Sequence, residues 1–292
     1  MEISEHCAEH DAEHGGPEVV CWRDGALDGA CLATARYGNH KFDRHLHDEL
    51  VIVMTEAGAG QCHTRAGSDI AGPGSVLVFG PGEYHSGEVW EGREWIYRAI
   101  YLDMEGLGAL GAVFSPDSRT DKPLLIPPGL YQDAHLAGLL VKAHASLDEQ
   151  GGASLMERQA NWWAAMGMLV GRYGQSVHES GEPRREARKM EQVREYVAAN
   201  YERDIPVDEL AELVGLSRYY LTRAFSKAFG LPPHAYATQV RLLAAKRMLA
   251  AGHTAAMAAA AVGFYDQSHL NRLFKRAYGI TPGAYAALKP GH

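Results

Sequence analysis

Short apolar runs of strand-type composition dominate the first hundred residues of the chain. Three of them are LVIVM at 50–54, SVLVF at 75–79 and WIYRAIY at 95–101, and glycine and proline clusters bound them. Runs of this length that are rich in β-branched and aromatic residues and end at turn residues predict strands. Regular strands with turns between them predict a small barrel or jelly roll over residues 17–105.

Helical periodicity replaces this pattern in the middle of the chain. Residues 106–130 contain proline and glycine clusters and are predicted to be a loop. Segments 131–150 and 154–173 then place apolar residues on one face at helical spacing. Helices that follow a barrel either pack on its outside or form a dimer seam. We therefore expect 106–175 to be a helical segment and a candidate for homodimerisation.

Two similar helical units recur about fifty residues apart near the C-terminus. The first spans about 207–228 with Gly215 at its turn, and the second spans about 255–278 with Gly263. Glycine adopts the left-handed conformation that ends a helix at little cost, and Asp266 is suited to cap the helix that follows. A short helix, a glycine turn and a second helix with a polar outer face predict a helix-turn-helix.

The outer faces of both second helices carry groups that suit DNA. The exposed positions of the first are Arg218, Tyr219, Thr222 and Arg223. Those of the second are Gln267, Ser268, His269, Asn271, Arg272, Lys275 and Arg276. Amide, imidazole and guanidinium groups read base edges, and the last two residues suit phosphates. A solvated polar face is the alternative interpretation for each of them.

A long helix is predicted between the two units, over about 233–251. Its length is roughly 27 Å at ~1.5 Å per residue. That length can hold two recognition helices near the ~34 Å repeat of DNA, so one monomer is expected to enter two successive major grooves.

Charge is distributed unevenly along the chain, although the net charge is −8. Residues 1–182 contain 12 Lys and Arg against 27 Asp and Glu, a net of −15, whereas residues 183–292 contain 16 against 9, a net of +7. A basic C-terminal third indicates a nucleic-acid-binding module attached to another domain. The change of sign coincides with the polar segment 176–186, which we predict to be a linker before a DNA-binding domain at 187–290.

The N-terminal segment 1–16 is polar and lacks periodicity, which predicts a disordered tail. His6, His10, His14 and Cys7 leave metal binding by this tail as an alternative. No run reaches the roughly 18 apolar residues of a membrane span, and the charged start does not fit a secretory signal. The four cysteines form no CxxC pair. These features predict a cytoplasmic protein with reduced thiols and no membrane partner.

Two histidine clusters interrupt the predicted barrel. The first contains His45, His47 and Glu49, and the second starts at Pro73-Gly74 and ends at His85. This pattern resembles the cupin barrel, whose first motif is HxH plus a glutamate and whose second is PxG followed by a histidine. The resemblance implies that these residues meet inside the mouth of the barrel. Glu49 follows His47 more closely than in cupins, and the final asparagine of the second motif is missing.

Three uses of this cluster remain open. We predict a metal-free pocket for an organic effector, while three imidazoles with an open position also suit zinc or iron, and a purely structural role is the third interpretation. Arg98 interrupts an apolar strand and, if it points inward, needs an anionic partner. That partner is a ligand carboxylate, Glu49 or Glu83, and an outward, solvated arginine is the alternative. The predicted effector-binding residues are His45, His47, Glu49, His85 and Arg98.

The C-terminal hundred residues closely resemble the AraC/XylS family of transcription regulators. The resemblance covers about residues 187–288 and is carried by Arg241-Leu242, Ala245, Leu249, Gly263-Phe264, Gln267-Ser268, Arg272, Phe274-Lys275, Gly279 and Thr281-Pro282. It implies promoter binding, activation through RNA polymerase, gating by a small molecule and frequent dimerisation. The family's base-reading positions fall on the exposed residues named above, apart from Arg218, Lys275 and Arg276. Ala258 stands where the family usually has isoleucine, which predicts looser docking, with Met257 filling the gap.

Together these patterns predict a two-domain α+β protein. A cupin-like β-barrel followed by helices precedes an all-α domain with two helix-turn-helix units joined by a long helix. The predicted function is a ligand-gated transcription activator that is not an enzyme, needs no cofactor and responds to a small anionic molecule such as an amino acid or organic acid. The alternatives are a metal-dependent cupin enzyme fused to a DNA-binding domain and a ligand-independent architectural DNA binder.

Overall fold

The computed structural model describes residues 18–24, 27, 29–92, 94–114, 124–148, 152–176 and 185–287. The predicted tail and most of the predicted linker lie outside the described residues. The chain divides into two compact units, and the division falls between residues 177 and 184.

The first unit is mostly β-structure. Its strands are β1 Glu18–Trp22, β2 Ala30–Tyr37, β3 Lys41–His45, β4 Leu50–Gly58, β5 Gly60–His63, β6 Ser68–Ala71, β7 Val76–Phe79, β8 His85–Val89, β9 Trp95–Leu102, β10 Leu124–Leu125, β11 Gly129–Tyr131 and β12 Gln175–Ser176. Its helices are α1 Met104–Phe114, α2 Ala134–Ser146 and α3 Leu155–Tyr173.

The strands form two main antiparallel sheets. The larger has the order β1-β2-β9-β4-β7-β11, the smaller has the order β3-β8-β5-β6, and β10 pairs with β12 separately. The sheets face each other and do not close into a single hydrogen-bonded ring. The predicted fold class of a cupin-like β-domain followed by helices is confirmed in this open form.

The larger sheet is buried on both faces, which explains the uninterrupted apolar run of β4. Leu50, Ile52 and Met54 contribute to a core shared with α1, α2 and α3. Val51 and Val53 contribute to a second core that lies between the two sheets. Since neighbouring residues of a strand point to opposite faces, both sets must be apolar.

Helix α1 corrects the prediction that residues 106–130 form a loop. Its glycines lower its helix propensity and hide the pattern, yet Leu107 and Leu110 are buried in the core against the larger sheet. The Asp103 carboxylate accepts hydrogen bonds from the amides of Glu105 and Gly106 at 3.0 Å each and so caps the helix. This aspartate is the sequence signal that was available.

Helix α2 begins later than predicted. Tyr131 belongs to β11 and not to the helix. The carboxylate of Asp133 accepts a hydrogen bond from the Leu136 amide at 3.0 Å, so the helix begins at Ala134.

The second unit is entirely helical among its described residues. Its helices are α4 Arg185–Ala199, α5 Val207–Val214, α6 Arg218–Phe229, α7 Pro233–Ala250, α8 Ala255–Ala261, α9 Gln267–Tyr278 and α10 Pro282–Ala286. The predicted all-α fold with two helix-turn-helix units and a connecting helix is confirmed. Helix α4 begins within the segment predicted as a linker. No helix among the described residues is both long and apolar enough to span a membrane.

Arg241 of α7 ties the two helix-turn-helix units to one backbone segment. Its guanidinium donates from Nε to the Tyr201 carbonyl at 2.7 Å and from Nη2 to the Arg203 carbonyl at 2.9 Å. This segment joins α4 to α5, the first helix of the first helix-turn-helix unit. Gly263, the turn glycine of the second helix-turn-helix unit, packs against the carbonyl of the intervening Glu202. The two helix-turn-helix units therefore meet at a junction of backbone atoms and one guanidinium.

Met257 does not fill the space beside Ala258, which corrects the prediction. Its side chain is 53% exposed. Ala258 and Ala259 are both buried in the core formed with α7 and α9. Small side chains allow helices to approach closely, so α8 docks through its alanines.

Alanine at the two turn glycines should have unequal effects. Gly215 and Gly263 have φ of 61° and 83°, so a β-carbon costs roughly 1–2 kcal/mol at either position. At Gly263 it would also lie 2.2 Å from the Glu202 carbonyl oxygen, whereas at Gly215 it would meet open space. We expect Gly263→Ala to lose a further ~1–3 kcal/mol.

Urea unfolding followed by circular dichroism at 222 nm measures this difference. The tryptophans end at Trp163, so their fluorescence reports on the first unit and serves as the internal reference. Equal losses of stability in Gly215→Ala and Gly263→Ala would contradict the proposed junction.

Candidate functional site

Helix α6 presents one polar face to solvent. The Ser217 hydroxyl caps it by accepting from the Tyr220 amide at 3.3 Å. Arg218 and Arg223 are exposed, and Tyr219 is 70% exposed. These side chains lie at the N-terminal half of the helix, which is the part that reaches base edges in helix-turn-helix proteins.

The exposed groups of α6 are partly ordered by one another. The guanidinium of Arg223 lies 5.5 Å from the centre of the Tyr219 ring, and its Nη1 donates to the Tyr219 hydroxyl at 3.3 Å. Stacking on an aromatic ring leaves the outer edge of a guanidinium available for planar, two-point recognition. The Thr222 hydroxyl donates to the Arg218 carbonyl at 2.8 Å, so its remaining capacity is to accept.

Helix α9 has a corresponding face. The Asp266 carboxylate caps it by accepting from the His269 amide at 2.7 Å, as predicted. The exposed side chains are those of Gln267, Ser268, Arg272, Lys275 and Arg276. The last three and Ser268 recur at intervals of three and four residues, so they share one side of the helix.

Two residues predicted on this face are less exposed than expected. His269 is half-buried, because its ring packs edge-on against Phe264 with centroids 5.4 Å apart. Asn271 is also half-buried, and its Oδ1 is shielded from solvent. Helical spacing alone places both at the margin of the buried stripe, and the packing of Phe264 decides the outcome for His269.

Tyr265 is an exposed residue that sequence reasoning missed. Its side chain is 91% exposed directly before the capping Asp266. A residue in this position usually packs against the fourth residue of the helix. Here Phe264 takes this place and is buried with Leu270 in the core formed by α7, α8 and α9. Tyr265 therefore extends to solvent at the start of α9. In the first helix-turn-helix unit the residue before the cap is Leu216, which is half-buried. The difference between leucine and tyrosine at this position was the available sequence signal.

The structure brings together the three barrel histidines. His45 of β3 is in register with His85 of β8, and His47 follows on the loop after β3. The Nε2 atoms of His45 and His47 lie 3.0 Å apart. One nitrogen of each of the three rings lies within 4.8 Å of the others, and all three side chains are buried.

Oxygen atoms surround the outer edge of this cluster. Nδ1 of His45 donates to the Asp43 carbonyl at 2.7 Å, and Nδ1 of His85 donates to the Glu83 carbonyl at 2.9 Å. A Glu49 carboxylate oxygen lies 3.9 Å from Nδ1 of His47.

Burial, and then the neighbouring His45, lower the pKa of His85 well below its ordinary value. The His85 ring also stacks on Phe79, with centroids 3.8 Å apart. Burial raises the pKa of Glu83, against a lowering hydrogen bond from the Gly80 amide. The cluster therefore combines a neutral imidazole with rigid packing.

Arg98 lies on the other face of the larger sheet, which corrects its assignment to the same pocket. Along β9, Tyr97 and Ala99 face the smaller sheet, so Arg98 between them faces α2. Its Nε donates to Glu56 at 2.8 Å, and its Nη1 lies 3.3 Å from Nδ1 of His144. The anionic partner is thus Glu56, and neither Glu49 nor Glu83 is involved.

His144 is the third member of this separate polar group, with Arg98 and Glu56. It is fully buried, and its Nε2 donates to the Ala33 carbonyl at 3.0 Å. Nδ1 therefore accepts from Arg98. Burial, and then the charge of Arg98, lower the pKa of His144 to about 4. A histidine in an otherwise apolar helix pattern gave no signal of this pairing.

Comparisons with known protein families follow the same division of the chain. Residues 29–166 match a family described as an AraC-like ligand binding domain, and residues 210–287 match a helix-turn-helix domain. The HTH-type transcriptional regulator YbfI of Bacillus subtilis is 29% identical over 230 residues, which are 79% of this chain and 82% of that protein.

Solved structures show the same two-part fold. A structure of ToxT from Vibrio cholerae has a TM-score of 0.54 at 13% identity and covers 90% of this chain and 100% of ToxT. A structure of ToxT from strain SCE256 with a bound unsaturated fatty acid also has a TM-score of 0.54 at 13% identity, covering 94% of this chain and 97% of that one. At this identity the likeness concerns the fold alone.

Proposed function

Because the chain belongs to the AraC family of transcription regulators, with a ligand-binding domain and a DNA-binding domain, we propose that it is a promoter-binding activator gated by a small-molecule effector. The observation that carries this proposal is the pair of capped helices α6 and α9. Each presents an exposed polar and basic face, and both belong to one compact unit.

Base reading is assigned to the first two turns of both helices. Arg223 and Arg272 are the main specificity residues, since a guanidinium pairs with guanine through two hydrogen bonds. Tyr219, Gln267 and Ser268 contribute further base or backbone contacts. The remaining assigned residues are Arg218, Thr222, His269, Asn271, Lys275 and Arg276. The 18-residue helix α7 sets the separation that lets both helices enter successive major grooves on one side of DNA.

The first unit acts as the sensor. The effector site comprises His45, His47 and His85 with Glu49, which the fold brings together from β3, the following loop and β8. Ligand binding to the sensor changes promoter occupancy, and activation proceeds by contact with RNA polymerase in the cytoplasm. The barrel serves recognition without catalytic turnover in this proposal.

Dimerisation is assigned to α3. Its outward side carries Met156, Ala160, Trp163 and Ala164, which recur at helical spacing and are all exposed. Met156 is 80% and Trp163 is 37% exposed. An apolar stripe of this kind is unusual on a solvated helix and suits the matching stripe of a second copy, since a two-fold interface pairs a surface with itself.

Replacing Arg272 should reduce specificity as well as affinity. We expect Arg272→Ala to cost ~1–3 kcal/mol on the cognate site and much less on random DNA, because it removes a base contact. Lys275→Ala is the matched control from the same helix, and it should weaken both DNAs alike and lower the salt dependence. Fluorescence anisotropy at several salt concentrations measures both. Equal losses on both DNAs for Arg272→Ala would show that it contacts only phosphate.

Trp163→Glu should convert a dimer into monomers. The side chain is partly exposed, and its ring contact is with Phe114 at 5.9 Å, so the fold should survive while a charge occupies the proposed seam. Sedimentation velocity of the full chain measures the change. Met104→Glu, at a 67% exposed position on α1, is the control and should leave the dimer intact. A dimer that persists in Trp163→Glu would rule out this face.

His85→Phe should separate sensing from DNA binding. The phenyl ring retains the stack on Phe79 but removes both ring nitrogens. We expect unchanged affinity for promoter DNA. We also expect loss of the response to the effector, measured as the change in promoter occupancy that genome-wide footprinting finds for the native chain. His63→Gln, at a half-buried position on strand β5, is the control and should respond normally. A normal response in His85→Phe would remove the histidine cluster from the effector site.

A further inference from the structure

We infer that Lys246 of α7 is a positioning residue for DNA reading by α9. Its buried ammonium lies against Tyr278 of α9 and Tyr285 of α10, and so fixes the end of α9 that is opposite to its base-reading turns. The consequence for DNA rests on the proposed function, and the experiments below include one measurement that needs no DNA.

Lys246 lies in the interior of the helical domain. It is 8% exposed, and its neighbour Ala245 belongs to the core that α7 shares with α8 and α9. Lysine is almost never fully buried unless its charge is paired, since removing an ammonium from water carries a large desolvation cost. A lysine in this place therefore needs groups that stabilise its charge.

Two aromatic rings contribute to that stabilisation. The Nζ atom lies 5.7 Å from the centre of the Tyr278 ring and 5.9 Å from the centre of the Tyr285 ring. An ammonium within about 6 Å of a ring centroid is attracted to the negative face of the ring, and the attraction is stronger where the pair is desolvated. Because the two rings belong to different helices, one cation holds both α9 and α10 against α7.

Phe274 connects these rings to the middle of α9. It is fully buried, and its ring centroid lies 4.7 Å from that of Tyr278, edge-on, and 5.7 Å from that of Tyr285. Lys275 and Arg276, which are assigned to DNA phosphates, lie between Phe274 and Tyr278 in sequence and are exposed. Contact residues of this kind depend on the packing that supports them. A shift of Tyr278 would therefore displace the phosphate contacts and tilt the base-reading turns.

The first helix-turn-helix unit contains an equivalent cluster. Each unit has three aromatic residues at the same distances from its helix cap, namely Phe225, Phe229 and Tyr236 after Ser217, and Phe274, Tyr278 and Tyr285 after Asp266. The Phe225 ring lies 4.6 Å from that of Phe229 and 5.6 Å from that of Tyr236. A cation again comes from the helix before the unit, because the Arg194 side chain of α4 hydrogen-bonds to Tyr236. The recurrence of a cation and three rings favours a role in placing recognition helices.

Hydrogen exchange of the full chain tests the positioning role without DNA. Methionine is close to lysine in length and removes the charge, and an apolar residue often replaces a buried charge without loss of global stability. We expect Lys246→Met to speed amide exchange within 267–286 by roughly 2–30-fold, the range that corresponds to one cation–π contact. Exchange within 218–236 should not change. The free energy of unfolding in urea should stay close to that of the parent chain.

DNA discrimination tests the consequence for reading. The probe is a promoter fragment on which hydroxyl-radical footprinting of the full chain shows two protected segments about one helical turn apart. Two further fragments each have one segment replaced by unrelated sequence, and Arg272→Ala identifies the segment that α9 reads. We expect Lys246→Met to lose roughly 2–30-fold of the discrimination at that segment and none at the other.

Matched variants separate positioning from direct contact. Lys246→Arg keeps a cation over the rings and should restore discrimination, whereas Tyr278→Leu should resemble Lys246→Met. The loss in the double variant should be smaller than the sum of the single losses, because both changes remove one contact. Lys142→Met, on the exposed side of α2, controls for the loss of one positive charge. The salt dependence of binding should stay at the parent value in Lys246→Met and fall in Lys275→Ala.

Three results would overturn the inference. Equal losses at both DNA segments would show general destabilisation, and a reduced salt dependence in Lys246→Met would show a phosphate contact. Unchanged discrimination would remove the role in reading even if exchange in α9 became faster. A full chain that protects no promoter segment would instead overturn the proposed function, and the exchange result would still decide whether Lys246 fixes α9.

Discussion

The junction around Arg241 is the interaction on which the DNA-binding unit depends. One guanidinium donates to the carbonyls of Tyr201 and Arg203, and the carbonyl of Glu202 between them meets Gly263. The first helix-turn-helix unit begins directly after this segment, and the turn of the second unit rests on it. The relative placement of α6 and α9 is therefore determined by backbone contacts, which tolerate little adjustment compared with contacts between flexible side chains.

A comparable constraint divides the chemistry of the first unit. Strand β9 passes between two cores, so each successive side chain serves a different one. Tyr97 and Ala99 line the side where the histidines meet, while Arg98 joins Glu56 and His144 against the helices. The arginine links the sheet to α2 through His144, whereas the histidine cluster lies on the other side with a Glu49 carboxylate oxygen 3.9 Å from Nδ1 of His47. Alternation along one strand thus keeps Arg98 away from the histidine cluster.

The sequence predicted the parts of the molecule that depend on local rules. Gly215, Gly263 and Asp266 have the conformations and capping roles expected of them, because turn and cap preferences act over a few residues. The structure differs where tertiary contacts decide. Glycines concealed helix α1 until its leucines met the core, the face of Arg98 depended on the register of β9, and Met257 stayed exposed because Ala258 and Ala259 already fill the interface. The histidine motifs predicted a meeting of side chains but not the orientation of their nitrogens.

The structure shows how the alanine-rich helix α8 packs against its neighbours. The small side chains of α8 predicted loose docking of the second helix-turn-helix unit, because they contribute little buried area. Ala258 and Ala259 are buried in the core formed with α7 and α9, and the turn that follows α8 lies against the Glu202 carbonyl. The second helix-turn-helix unit therefore depends on backbone fit at this turn as well as on its apolar core, which contains Phe264, Leu270 and Phe274. Small changes in the Arg241 junction should accordingly affect α9 before they affect α6.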